Sequence, residues 1–97
     1  MRNERTLLER VVLSKAIEGE LRTFDIDLHD LGGRFEVYVY DPEEAFEADP
    51  VSCSSLVEAK RVFTRFMELI VVEPVHATDS PFDFAERVYG KLFESES

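Results

Sequence analysis

The sequence contains one cysteine, no tryptophan and only three lysines. Cys53 has no second cysteine to pair with inside the chain, and no apolar signal segment follows the basic N-terminal residues, so we expect a reducing, cytoplasmic location. The longest apolar run, from Leu69 to Val72, is far too short to cross a bilayer. Two histidines and one cysteine match no common zinc spacing, and we expect neither a metal nor another cofactor.

Basic residues are also scarce, with 11 Lys and Arg against 21 Asp and Glu, for a net charge of -10. Direct binding of nucleic acid or of an anionic membrane requires a basic patch, so the composition argues against both. The apolar share of 44%, with eight phenylalanines and three tyrosines, is typical of a folded protein. At 97 residues, we expect a single small acidic domain spanning residues 1–97.

Residues 4–21 show apolar side chains at intervals of three and four, which predicts a first helix. On such a helix Leu13, Ile17 and Leu21 would form a stripe apart from the other apolar positions. A stripe of this kind needs a cover, because large apolar patches are rarely left in water. Another helix of this chain or a second copy could provide the cover, so Leu13, Ile17 and Leu21 are a possible homodimer interface.

Residues 23–40 alternate strictly between apolar and polar side chains on either side of Gly32 and Gly33, which predicts a β-hairpin. Paired glycines can adopt the positive φ of a tight turn. A turn centred on them places Leu28 opposite Val37 on the buried side. It places Asp27 opposite Tyr38, and His29 opposite Glu36, on the outer side.

The remaining residues predict an acidic loop, one short strand and two helices. The loop lies between Asp41 and Pro50, and the strand covers residues 51–53. Ser55 with Glu58 is a capping-box pattern for a helix to about residue 69, followed by an extended segment over Ile70 to Val72. Ser80 and Pro81 open the last helix.

These elements predict an α+β fold with the order α-β-β-(β)-α-α. Its small antiparallel sheet would have two to three strands, with helices packed on one face and the other face open to water.

The negative charge is concentrated in residues 23–50, where nine acids face Arg34 as the one base. The outer side of the hairpin and the acidic loop would then form one negative surface that also carries two tyrosines. Tyrosine is enriched at protein interfaces because it offers a large contact area at low entropic cost. The candidate partner-binding residues are Asp25, Asp27, Glu36, Tyr38, Tyr40, Asp41, Glu43, Glu44, Glu47 and Asp49.

No catalytic triad, phosphate-binding loop or water-excluding carboxylate pair can be argued from the sequence, so we expect no enzymatic activity. The acidic surface could serve solubility alone, or it could dock onto a basic site of a partner protein by imitating nucleic acid. We favour a non-enzymatic binding or inhibitor module of the second kind. In size and charge it is similar to phage-encoded inhibitors, although no motif carries this likeness. The alternative is a structural or regulatory subunit that associates through apolar helix faces.

Overall fold

The computed structural model describes residues 5–41 and 50–96. Four strands are followed by two helices. They are β1 (Thr6–Ile17), β2 (Glu20–Asp30), β3 (Phe35–Tyr40), β4 (Val51–Cys53), α1 (Leu56–Val72) and α2 (Pro81–Glu96). The strands form one antiparallel sheet in the order β1-β2-β3-β4. The α+β class is confirmed, with four strands and two helices in place of two to three strands and three helices.

The predicted first helix is wrong, because residues 6–17 form β1 and Glu20 already begins β2. The two strands pair along their whole length, with Arg10 opposite Asp27 and Val12 opposite Asp25. Glu18 and Gly19 both have positive φ, of 59° and 76°, which are the values of a two-residue hairpin turn. Glu18 and Gly19 are therefore the turn of a hairpin between β1 and β2.

The predicted second hairpin is confirmed in its register. Leu28 faces Val37, Asp27 faces Tyr38 and His29 faces Glu36. Gly32 and Gly33 hold the turn with positive φ, of 81° and 113°. The short third strand is also confirmed, since β4 pairs with β3 over residues 51–53.

Both helices begin where the sequence predicted. The Ser55 hydroxyl accepts from Glu58 N–H at the start of α1, and the Ser80 hydroxyl accepts from Asp83 N–H at the start of α2. The extended segment expected at Ile70 to Val72 is wrong, because α1 continues to Val72 and ends before Pro74. Pro74 disfavours helical φ and ψ at Glu73, which is extended.

The helices pack on one face of the sheet. Helix α1 contacts all four strands, and the Phe84 ring of α2 lies 5.5 Å from the Phe24 ring of β2. The core contains the side chains that point to this face together with the inner sides of both helices. Its largest fully buried members are Phe24, Phe66, Phe84, Ile17, Ile26, Leu28, Ile70, Leu92 and Val37. Neither described helix combines the length and apolar character needed to cross a bilayer.

Candidate functional site

The second face of the sheet, called the open face below, carries no helix among the described residues. Side chains reach it from alternate positions of the paired strands. Its members are Leu7, Arg10, Val12, Ser14 and Ala16 from β1, Leu21, Thr23, Asp25, Asp27 and His29 from β2, Glu36, Tyr38 and Tyr40 from β3, and Ser52 from β4. The open face thus combines a central charged cluster with aromatic and aliphatic side chains.

Arg10 is the centre of the charged cluster. Its guanidinium forms a bidentate salt bridge with Asp27, in which Nε donates to Oδ1 at 2.8 Å and Nη2 donates to Oδ2 at 2.9 Å. This geometry matches the fork of arginine to the two oxygens of a carboxylate. The Nε atom is also 3.3 Å from Asp25 Oδ1, and Nη2 is 3.5 Å from the Tyr40 hydroxyl. One cation from β1 therefore contacts two carboxylates of β2.

Two aromatic rings lie beside this cluster on β3. The rings of Tyr38 and Tyr40 stack with centroids 5.2 Å apart and planes 29° from parallel. On the other side of Asp27, His29 Nε2 lies 3.4 Å from Asp27 Oδ2. The tyrosines are partly exposed, so the open face presents a flat aromatic pair next to a cation.

The two aspartates of the cluster titrate in opposite directions. Burial, together with the neighbouring Asp27, raises the pKa of Asp25 to about 6. Burial acts on Asp27 as well, but hydrogen bonds from Arg10 outweigh it and lower the pKa of Asp27 to about 2. Burial and the adjacent carboxylates raise the pKa of the Tyr40 hydroxyl above its ordinary value.

Replacing Asp25 with asparagine should stabilise the protein at neutral pH. A carboxyl whose pKa is about 6 when folded, against 3.8 normally, contributes stability that is present below 3.8 and is lost as pH rises through 6. We expect Asp25→Asn to gain about 1–2 kcal/mol in unfolding free energy at pH 7. The gain should vanish near pH 4, as measured by urea denaturation across this range.

Asp27→Asn is the matched control, and its effect on stability at pH 7 should have the opposite sign. The depressed pKa of Asp27 means that its charge stabilises the fold above 3.8, and this stability is lost as pH falls through about 2. The substitution should therefore lower stability at pH 7. Equal effects of the two substitutions at pH 7 would contradict the assignment of the cluster.

The structure places the predicted binding residues unevenly. Asp25 and Asp27 point to the open face as expected, but they are only 6% and 3% exposed, because Arg10 lies over them. Glu36 lies on the same face, 3.3 Å from Arg5 Nη2. Asp41, expected on the negative surface, is buried at 2% exposure.

The remaining predicted acids, Glu43, Glu44, Glu47 and Asp49, lie outside the described residues. On the described part of the open face, Asp25, Asp27 and Glu36 each have a basic neighbour. The expectation that Asp25 and Asp27 lie on the wet side of the hairpin is wrong, because both are buried beside Arg10.

The predicted oligomer stripe does not exist as one surface. In β1, Leu13 and Ile17 point toward the helices, and Ile17 is fully buried in the core. Leu21 points to the open face and is 73% exposed. The correction follows from the hairpin turn at Glu18 and Gly19, which pairs Leu21 with Ala16 and so places it on the face opposite Leu13 and Ile17. A continuous helix would instead align every fourth residue.

Sequence reasoning missed Arg5 and Arg10 as members of the site. Both lie in residues 4–21, the segment predicted to be a helix. The available signal was Gly19, which together with Glu18 marks a turn between two strands of similar length. Reading that turn as a hairpin would have placed Arg10 against the two aspartates of β2.

A second charged cluster ties the end of α1 to α2. Arg87 donates to Glu73 Oε2 at 2.6 Å and to Asp79 Oδ2 at 2.7 Å, and Lys91 Nζ lies 2.8 Å from Glu73 Oε1. Hydrogen bonds from these bases lower the pKa of Glu73, and those from Arg87 lower the pKa of Asp79 to about 2. Each carboxylate is satisfied within the chain, which indicates a structural role.

The described residues contain no group of three or more histidine, cysteine or acidic side chains arranged to hold a metal ion. Cys53 is a buried free cysteine at the end of β4. Comparison with protein-family models, with curated proteins and with solved structures finds no match. The open face is thus characterised by its own chemistry alone.

Proposed function

We propose that this chain is a non-enzymatic protein-binding module whose contact surface is the open face of its sheet. The observation that carries the proposal is the stacked pair of Tyr38 and Tyr40 beside Arg10 on a face that no described helix covers. Tyrosine and arginine are among the side chains enriched at the energetic centres of protein interfaces. Here they are adjacent and held in place by the sheet.

The charged cluster beside the tyrosines supports the idea that this surface is ordered before a partner binds. Arg10 is held by Asp27 through two hydrogen bonds, and Tyr40 lies within 3.5 Å of the same guanidinium. Rotamers fixed in this way lose little entropy on binding. The aliphatic side chains of Val12 and Leu21, 52% and 73% exposed, extend the contact area toward the start of β2.

The partner that fits this proposal has a basic rim around an apolar or aromatic centre. The connection between β3 and β4 contains Glu43, Glu44, Glu47 and Asp49 and no base, and it begins directly after Tyr40. A long-range field from these acids would speed encounter with a basic surface and select among partners. The tyrosines would supply most of the affinity, and inhibition of a nucleic-acid-binding protein is one outcome of such docking.

The proposal is tested by comparing variants as bait for proteins from the organism that makes this chain. Tyr38→Ser with Tyr40→Ser removes the aromatic pair from the open face. Phe82→Ser with Phe93→Ser is the matched control, because it removes two aromatic rings that are 53% and 52% exposed on α2. A specific partner should bind the tyrosine variant roughly 100-fold more weakly, and the control as well as it binds the unmodified chain.

Binding that survives in the tyrosine variant and disappears in the phenylalanine variant would contradict the proposal. That result would favour the helical surface and the subunit alternative. Circular dichroism of both variants verifies that each remains folded.

A separate experiment tests whether negative charge speeds association with a basic partner. Charge reversal at Asp25 or Asp27 is unsuitable, because both are buried partners of Arg10. Glu43→Lys with Glu44→Lys changes the connecting segment instead. We expect slower association with the partner, and a rate that falls between about 0.05 M and 0.5 M salt for the unmodified chain. If neither the two substitutions nor the salt concentration changed the association rate, the partner surface would not be basic.

A further inference from the structure

The edge of β1, which no strand among the described residues covers, differs from the opposite edge of the sheet. β1 has 12 residues, whereas β4 at the opposite edge has three. Natural sheets protect long edges with prolines, bulges, charged side chains or brevity, because an unpaired edge is a template for another strand. The two bases of the regular part of β1 are already engaged within the chain, Arg10 with Asp27 and Lys15 with the carbonyls of Val71 and Glu73. The only irregularity in the β1–β2 pairing lies between Leu7 and Glu9, near one end, and β1 contains no proline. Residues 9–17 thus form a regular edge that no described strand covers.

The sequence of this edge is complementary to itself in one antiparallel register. If two copies pair with Val12 opposite Val12, then Val11 faces Leu13 of the second copy and Glu9 faces its Lys15. The two-fold symmetry of the pair repeats each contact. The pairing also keeps each side chain on its own face, since residues directly opposite in a sheet point the same way.

In the neighbouring registers centred on Val11 or Leu13, Glu9 no longer faces Lys15 of the second copy. A shift centred on Val11 places Glu9 opposite Leu13 and Lys15 opposite Leu7, and a shift centred on Leu13 places Glu9 opposite Ile17. In either case a charge faces an aliphatic side chain. Glu9 is exposed and has no ion pair or hydrogen bond among the described residues, so a basic group of a second copy would be its first partner.

The side chains along the edge supply apolar contact as well as charge. Val12 is 52% exposed on the open face, and Val11 and Leu13 are half-buried on the helix side. Lys15 donates to the carbonyl of Val71, which places the exposed end of α1 above the same edge. Apolar surface therefore lies on both sides of β1.

We propose that β1 pairs antiparallel with β1 of a second copy, centred on Val12, to form a dimer with one continuous eight-stranded sheet. The two-fold axis is perpendicular to the sheet, so both open faces lie on the same side. The two tyrosine pairs then belong to one double-length surface. This inference does not depend on the proposed function, because the pairing uses only the edge.

The test begins with the mass of the chain in solution. Light scattering should change from 11.2 kDa toward twice that mass as the concentration rises from about 1 µM to about 1 mM. Val12→Lys places two ammonium groups at the symmetry axis and should raise the dissociation constant roughly tenfold or more. Val57→Lys is the matched control, because Val57 is 75% exposed on α1 and should leave the dimer unchanged.

Oxidative crosslinking reads the register directly. In a Cys53→Ala background, the Val12→Cys thiol lies opposite the same thiol of the second copy. The two should form a disulfide-linked dimer. Ser14→Cys lies opposite Arg10 of the second copy, about 13 Å from the other Ser14 position, and should not crosslink. This readout remains valid even if Val12→Lys fails to fold.

A chain that stays at 11.2 kDa over the whole concentration range would overturn the proposal. So would a dimer that Val57→Lys disrupts and Val12→Lys does not, or one crosslinked through Ser14→Cys but not Val12→Cys. None of these results bears on whether the open face binds a partner protein, which the tyrosine variants decide separately.

Discussion

Arg10→Met is expected to lower the melting temperature by roughly 10 °C at pH 7. The substitution keeps the aliphatic part of the side chain but leaves Asp25 and Asp27 buried without their cation. An isolated buried carboxylate is unfavourable, so the pKa of each aspartate should rise. The deficit should therefore shrink as the pH falls and both groups become protonated, which thermal unfolding at several pH values would show.

The cause of this loss can be isolated with the aspartates themselves. Adding Asp25→Asn and Asp27→Asn to Arg10→Met removes the two buried charges and should recover most of the lost stability. Such a non-additive result marks groups that interact directly. Arg61→Met on the exposed side of α1 is the matched control, with little effect expected. If Arg10→Met were as mild as the control, Arg10 would not be the centre of the cluster.

Phe84→Ala should destabilise the protein by about 3–5 kcal/mol, as large-to-small substitutions of buried aromatic residues do. Phe84 is fully buried at the contact between α2 and the sheet, 5.5 Å from the Phe24 ring. The Lys15 ammonium and the Arg87 guanidinium also lie over its ring, at 5.5 Å and 5.7 Å from the centroid. Removing the ring leaves a cavity where α2 docks. Urea unfolding gives the free energy directly.

The same helix offers a matched control for this prediction. Phe82 has the same side chain two residues earlier, but it is 53% exposed. Phe82→Ala should change the unfolding free energy by less than about 1 kcal/mol. Equal losses at the two positions would mean that α2 does not dock through Phe84.

The elements that local chemistry determines could be predicted from the sequence. The glycine pair at positions 32 and 33 sets the register of the second hairpin, and the alternation of Phe24, Ile26 and Leu28 assigns its buried side. Ser55 and Ser80 mark the two helix starts because each supplies a capping hydroxyl. In these places a short stretch of chain contains the information that fixes its own structure.

Strand β1 could not be predicted from its local sequence. The apolar residues of β1 are spaced such that a helix and a strand both gather some of them on one side, and the deciding contacts lie in β2. Pairing with Asp25 and Asp27 requires residues some seventeen positions away, as for Arg10 and Asp27. Because that one element was wrong, the two aspartates were expected on a surface open to a partner, whereas they are buried beside Arg10.

The central claim is that the open face contacts the partner, and amide chemical shifts of the isotope-labelled chain test it most directly. After titration with a partner identified by the bait experiment, we predict that the perturbed residues include Arg10, Val12, Tyr38 and Tyr40. Shift changes confined to the amides of exposed helix residues such as Val57, Phe82 and Phe93, with the amides of the open face unchanged, would contradict this claim.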